Sequence, residues 1–414
     1  MNGLARRRPK NGRFAAVLIG IVATGLLTGL WFYGRPVHHV HAGLATLKSR
    51  DWERLQYELL ALPHSSEYAK PSSLFSAALK LERREFVSAH RELRFAADDA
   101  SLRPLAWLLA GEALYAQNRF REAEINFKRA LELDPDLIDA HRWLAIAYYD
   151  IGLMHEAVVH LRRVAELDPS DARPHRVMAV IHMDLGSNAI SVEDFEESFR
   201  RNPRQPDRAD MLVELAGGQL SLKRYDDALQ TLAACEETAE VMSMRADALY
   251  SLGDAAQAKR LAQRALAAEP QQRLSLYVLG KIALGDRHYE EAVDFFTRGA
   301  KIAPSDYDMQ YMLVTALRAA GQTEEAEKRL ELAEQLRLVR EEFDSLLTRA
   351  IDEPYNADIR YQLGILADRL NMPHLAQSWL KAAVVLDPGH GLAQRALKKQ
   401  GNASPDAALL LRGS

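Results

Sequence analysis

The chain has 414 residues, 48% of them hydrophobic and 27% charged, a composition that supplies a core and excludes disorder as the default state. Lysine and arginine number 53 against 57 aspartates and glutamates, a formal net charge of −4, so the basic excess that neutralises phosphates is missing and nucleic acid is excluded as a partner. The single cysteine, Cys235, can form neither an internal disulfide nor a thiolate metal site, and says nothing about compartment.

Residues 1–13 hold Arg6, Arg7, Arg8, Lys10 and Arg13, and precede the uncharged run FAAVLIGIVATGLLTGLWFY over 14–33. A helix of that length covers about 30 Å, the thickness of a bilayer's hydrocarbon. With Trp31 and Tyr33 at its far end and the basic cluster at its near end, the expectation is a single-pass membrane protein, N-terminus cytoplasmic and the rest periplasmic or extracytoplasmic. A cleaved signal peptide ending at Val40-His41-Ala42 is the competing reading, although such apolar cores run about 7 to 15 residues. Gly25 and Gly29 form a G-x-x-x-G pair through which two such helices could make a homodimer, against the plainer reading of an unpaired anchor. His38, His39 and His41 follow with no carboxylate or thiolate cluster and read as a solvated turn, not a metal site.

Residues 34–103 carry two degenerate helix pairs, near 36 (Gly43, Leu55, Leu59) and near 70 (Ala77, Ala89, Leu93, Ala96). From 104 a pattern returns every 34 residues: Trp107, Gly111, Ala123, Phe127, Ala130 and Pro135, then Leu144, Ala145, Tyr148, Gly152, Ala157 and Pro169, then Ala179, Gly186, Phe195 and Pro203. Clear copies begin again at 273 (Leu279, Gly280, Ala292, Phe296, Pro304) and 357 (Leu363, Gly364, Ala376, Ala383, Pro388), and weaker ones at 209, 239 and 307. Between the starts at 307 and 357 lie 16 surplus residues, and apolar residues from Ala326 to Ala350 recur there at spacings of three and four. One long helix over about 323–350 is the expectation. Residues 389–400 read as a capping helix and 401–414 as a frayed tail.

Together these copies fit the W-x2-L-G-x2-Y…A-x3-F…P pattern, and the region 104–388 closely resembles the tetratricopeptide repeat. Small residues such as Gly111, Ala123 and Ala130 let two antiparallel helices approach closely; Trp107 and Phe127 fill the gaps between pairs; the recurrent prolines stop the second helices. The resemblance implies an all-α fold, a right-handed superhelical solenoid of about eight clear and two degenerate copies, preceded by the transmembrane helix.

The resemblance also implies a partner groove lined by first helices, with positions 2, 5, 9 and 12 of each copy facing it, of which positions 5 and 12 are the informative ones. Those positions supply the candidate site: Tyr115, Arg142, Tyr149, Arg176, Tyr250, Tyr277, Tyr311 and Tyr361. Tyrosine and arginine dominate interface hot spots because rigid rings and planar forks give contact area at small entropic cost; packing of the same rings between neighbouring first helices is the competing reading. The Lys and Asn of the family's carboxylate clamp are missing, with pairs such as Leu108/Glu112 and Tyr277/Lys281 in their place. No nucleophile elbow, phosphate loop or metalloprotease motif occurs, so neither enzymatic chemistry nor a cofactor is expected. The expected function is a membrane-anchored scaffold or adaptor that binds a protein or peptide in the groove. The alternative is a chaperone-like accessory subunit of an envelope maturation complex, similar to the anchored repeat proteins of c-type cytochrome biogenesis.

Overall fold

The computed structural model describes residues 35–400, all of whose regular elements are helices. They come in antiparallel pairs. The first three are α1 (35–49) with α2 (Trp52–Ala61), α3 (Ala69–Glu82) with α4 (Phe86–Ala96), and α5 (Arg103–Tyr115) with α6 (Phe120–Leu133). There follow α7 (Ile138–Asp150) and α8 (Met154–Leu167), α9 (Arg173–Asp184) and α10 (Asn188–Arg201), α11 (Arg208–Ser221) and α12 (Tyr225–Leu232), and α13 (Ala239–Ser251) and α14 (Ala255–Ala268). The series ends with α15 (Arg273–Gly285) and α16 (Tyr289–Ile302), α17 (Tyr307–Ala319) and α18 (Thr323–Asp352), α19 (Ala357–Arg369) and α20 (Pro373–Leu386), and the single helix α21 (Gly391–Gln400).

The chain divides into two compact units, 1–140 and 141–414. In the first, Leu55, Leu74, Phe75, Ala77, Leu93, Ala96 and Leu109 form one core. In the second, the apolar residues form a succession of small cores, each shared by neighbouring pairs: Val192, Phe195 and Met211, then Val241 and Met244, then Ala258, Leu261 and Leu279, then Phe296, Met309 and Leu313. No pair buries its apolar face alone, which is why the pairs stack.

Glycine at the helix crossing is required by distance. A Cβ on Gly111 would lie 2.5 Å from the Phe127 ring, and one on Gly280 would lie 2.6 Å from Phe296. In both copies the ring sits sixteen residues later on the second helix and occupies the space the glycine leaves. The turns between first and second helices share one conformation, in which a single residue takes a positive φ: Gly152, Gly186, Gly253 and Gly321 in four turns, and Arg50, Arg84, Asn118, Lys223, Arg287 and Asn371 in the others. Its neighbours close the first helix, as where the Asp254 N–H donates to the Leu249 carbonyl at 2.9 Å, and the Asp254 side chain then caps α14 by accepting from the Gln257 N–H.

The breaks in the 34-residue period have local causes. The extra residues before α11 are anchored by Gln205, whose buried amide donates to the Ser198 hydroxyl and carbonyl at 3.0 and 3.2 Å. The short repeat that follows takes its deficit from α12, which has 8 residues where α10 and α14 have 14. The surplus after 307 lies in α18, 30 residues long. Its N-terminal part buries Ala326 and Ala333, its C-terminal part Val339, Phe343, Leu346 and Ala350, while its outer face carries i,i+4 pairs such as Glu324–Lys328 and Arg337–Glu341. Within the second unit the chain also meets itself at a distance. A Cβ on Gly152, in the α7–α8 turn, would come 2.9 Å from Ala382 and 3.2 Å from the Ser378 carbonyl of α20.

Two expectations are corrected. No helix among the described residues is long and apolar enough to cross a membrane, so the localisation as a single-pass membrane protein with extracytoplasmic repeats is withdrawn. The longest helix, α18, has the length but is charged along its outer face, and the run 14–33 with Gly25 and Gly29 lies outside the described residues. The second concerns His38, His39 and His41, which belong to helix α1 instead of a turn. His39 is mostly buried, its Nδ1 lying 2.6 Å from the Glu58 carboxylate of α2.

Candidate protein-binding face

In the second unit the first helices stand side by side: α11 beside α13, α13 beside α15, and α15 beside α17. Their shared face brings together some of the residues picked from the sequence and leaves others out. Tyr250 of α13 and Tyr277 of α15 flank Lys281, whose ammonium lies 4.5 Å from one ring centroid and 5.2 Å from the other. Tyr277 also meets the Phe296 ring edge-on at 6.1 Å. Burial first, then the Asp308 and Asp247 carboxylates, push its hydroxyl up to about 12. Tyr149, near the end of α7, is half-buried, and burial together with Asp184, Asp150 and Glu214 pushes its hydroxyl well above the ordinary phenol range.

The other candidates are engaged elsewhere. Arg142 reaches Asp171 at 3.0 Å, and Arg176, buried, reaches Asp207 at 2.5 Å. Arg273 does the same with Asp306. These pairs run from a first helix to the loop that enters the next repeat, so the arginines fasten consecutive repeats together. Tyr311, 47% exposed, stacks on Tyr307 at 5.9 Å. Tyr361 lies against His390, just before α21, at 5.0 Å. Tyr115 belongs to the first unit and meets Phe120 edge-on at 5.4 Å.

What positions 5 and 12 missed is the acidic character of the face. Asp184, Asp210, Glu214, Asp247 and Asp308 all sit on first helices, and none has an ion-pair or hydrogen-bond partner among the described residues. Other carboxylates are paired, as at Glu112–Arg50 and Glu92–Lys80, while exposed ones such as Glu132, Glu193 and Glu331 are without a partner among the described residues as well. Burial pushes Asp184 up to about 6, against a smaller opposing pull from His374. Burial and then the neighbouring Asp184 and Asp210 raise Glu214. Asp247 and Asp308 are raised as well, in each case first by burial. A signal was present in the sequence, because Asp210 and Asp308 occupy position 2 and Asp247 position 9 of their copies. Among the described residues no group of three or more His, Cys, Asp or Glu side chains could hold a metal ion.

Family models agree with this architecture. A model described as TPR repeat matches residues 111–152, and two described as tetratricopeptide repeat match 177–239 and 243–307, and 283–349. Together they cover about half of the chain, which therefore belongs to the tetratricopeptide-repeat family, and the repeats mark it as a protein-interaction scaffold. No curated protein matches the sequence. Among solved structures, the chain is similar to a tetratricopeptide repeat protein from Parabacteroides merdae (16% identity over 60% of this chain and 99% of that one, TM-score 0.36). It is also similar to a structure of Naa15/Naa10 bound to HypK-THB (14% identity, 88% and 66% covered, TM-score 0.42). A third is the functionally characterised Pseudomonas aeruginosa pilF (21% identity, 48% and 90% covered, TM-score 0.36).

Proposed function

We propose that the protein is an adaptor that holds a segment of a partner protein on the face formed by its first helices, centred on Tyr149, Tyr250 and Tyr277. The observation that carries this reading is the make-up of that face: the partly buried rings of Tyr250 and Tyr277 stand on adjacent first helices, flank Lys281, and lie beside carboxylates of first helices that have no hydrogen-bonded or ion-paired cation among the described residues. Rings with a polar tip give contact area without large entropy loss, the property of interface anchors. The fold supplies such a face because successive pairs stack with first helix beside first helix from α11 to α17.

A photocrosslinking amino acid in place of Tyr250 or Tyr277 is expected to capture a partner in cells, whereas the same group in place of exposed Arg260, on second helix α14, captures none. Equal capture from position 260 would overturn the assignment of the face.

A further inference from the structure

In the larger unit a cleft of about 570 Å³ opens between α8, the α9–α10 turn and the C-terminal half of α18. Both helical walls show the spacing of a single helix face: Val158, Val159 and Arg162 on α8, and Arg340, Asp344, Leu347 and Ile351 on α18. Apolar stripes of this kind ordinarily bury against a third element, yet Val159, Ile190 and Ile351 are 61%, 48% and 51% exposed. The polar lining is cationic on balance. Arg340 pairs only with Asp344 of its own helix, at 3.2 Å, and Arg162 has no ion-pair or hydrogen-bond partner among the described residues. Arg340 also borders a second cleft, of about 520 Å³, together with Leu336, Leu370 and Met372. A path therefore runs from the α19–α20 turn along α18 into the first cleft. The end of α21 lies near its start, since the Gln400 amide donates to the Asp368 carboxylate at 3.0 Å, two residues before Leu370. From Gln400 the sequence continues as GNASPDAALLLRGS, a Ser-Pro-Asp turn signal followed by five apolar residues, Ala407 to Leu411.

We propose that residues 401–414 fold back on the larger unit and occupy the cleft between α8 and α18, with Asp406 at Arg340 and Arg162, and Leu409, Leu410 and Leu411 against Val159, Ile190, Leu347 and Ile351. The length suffices. Leu409 lies nine residues beyond Gln400, about 30 Å when extended, and Arg340 to Leu347 takes about 10 Å along α18, which leaves about 20 Å for the passage around the α19–α20 turn. The order of residues fits as well, because a segment arriving from α21 meets Arg340 before Leu347 and Ile351, and Asp406 precedes the leucines. Leucines laid on exposed valine and isoleucine remove apolar area from water on both sides. A tethered segment also meets its site at an effective concentration of about millimolar, an advantage over any partner in free solution. The cleft is built from second helices and a turn, so the proposal is independent of the adaptor face.

The test uses the full chain, purified and dilute, with a photocrosslinking amino acid in place of Leu410 and the products mapped by mass spectrometry. Crosslinks within one chain to residues 158–162 of α8 and 347–351 of α18 are expected. Val159→Asp with Ile351→Asp, both at exposed positions, should lower their yield about fivefold or more by placing charge where the leucines lie. Asp406→Arg should lower it about two- to fivefold, and adding Arg162→Glu with Arg340→Glu should restore it; thermal melts establish that each variant folds. Crosslinks to other elements, or none, would overturn the proposal. So would a yield indifferent to the two aspartates, which would mean collision without docking. Crosslinks to α8 and α18 found only in a dimer that disappears on dilution would give the cleft to a second copy of the chain instead. If the charge exchange fails to restore the yield, the placement of Asp406 at the arginines falls.

Discussion

At the scale of single residues, the repeat is held by side chains that are absent and weakened by charges that are present. Gly280→Ala places a Cβ 2.6 Å from Phe296, an overpacking error whose cost is about 1 to 3 kcal/mol, to be read as a lower denaturation midpoint with an unchanged m-value. The turn residue Arg287, at φ 64°, has the opposite potential. A left-handed conformation costs a side-chain-bearing residue about 1 to 2 kcal/mol, so Arg287→Gly should raise stability by about 0.5 to 1 kcal/mol after its own entropic cost. Asp184 supplies a pH dependence. Its folded-state value of about 6 lies above the ordinary 3.8, so the stability it contributes is present in full below pH 3.8 and is lost as pH rises through 6. Asp184→Asn should therefore be more stable than the parent at pH 7.5, by about 1 to 3 kcal/mol for a shift of some two units, and should lose that advantage as pH is lowered to 3.5. Urea titrations at the two pH values measure it; an equal difference at both would remove burial of this carboxylate as the cause.

Among the elements, the sequence is most legible where packing fixes residue size. Glycine and alanine at the crossings, the prolines after second helices and the apolar spacing through 326–350 can be read directly, because each reflects a steric requirement internal to one or two helices. Pairing across loops was not legible. Arg142 and Arg176 look like groove residues by position, but Asp171 and Asp207, 29 and 31 residues away, hold them, and no local pattern couples those positions. The unpaired carboxylates were hidden for the same reason, since an acid on a helix reads as solvated until the absence of its counter-charge is seen. The histidines of α1 looked isolated because the partner of His39, Glu58, belongs to the following helix. The long helix α18 has a testable division of labour. Phe343, 1% exposed, anchors its C-terminal part, so Phe343→Ala should cost about 3 kcal/mol. Amide exchange should rise over 339–369 while α15 and α16 keep their protection, and a uniform rise would assign Phe343 to a global core.

For the larger unit as a whole, a solenoid in which each repeat meets only its neighbours predicts that a lesion stays local. The succession of small cores from α9 to α18 fits that picture, but the α7–α8 turn does not, because it touches α20, more than two hundred residues later in sequence. Gly152 makes the approach possible. It has φ +70°, and a Cβ there would sit 2.9 Å from the Ala382 Cβ, 3.2 Å from the Ser378 carbonyl and 3.4 Å from the Trp379 ring. None of these can yield cheaply, since one is backbone and the others belong to side chains buried in α20. Gly152→Val therefore drives the turn and α20 apart. Amide exchange is expected to accelerate in α20 as well as in α7 and α8, with α13 to α16 unchanged, and the emission of buried Trp379 should shift as water reaches it. Strain at the turn alone would loosen α7 and α8 and leave α20 as it was, in which case stability in this unit is carried by neighbouring repeats only.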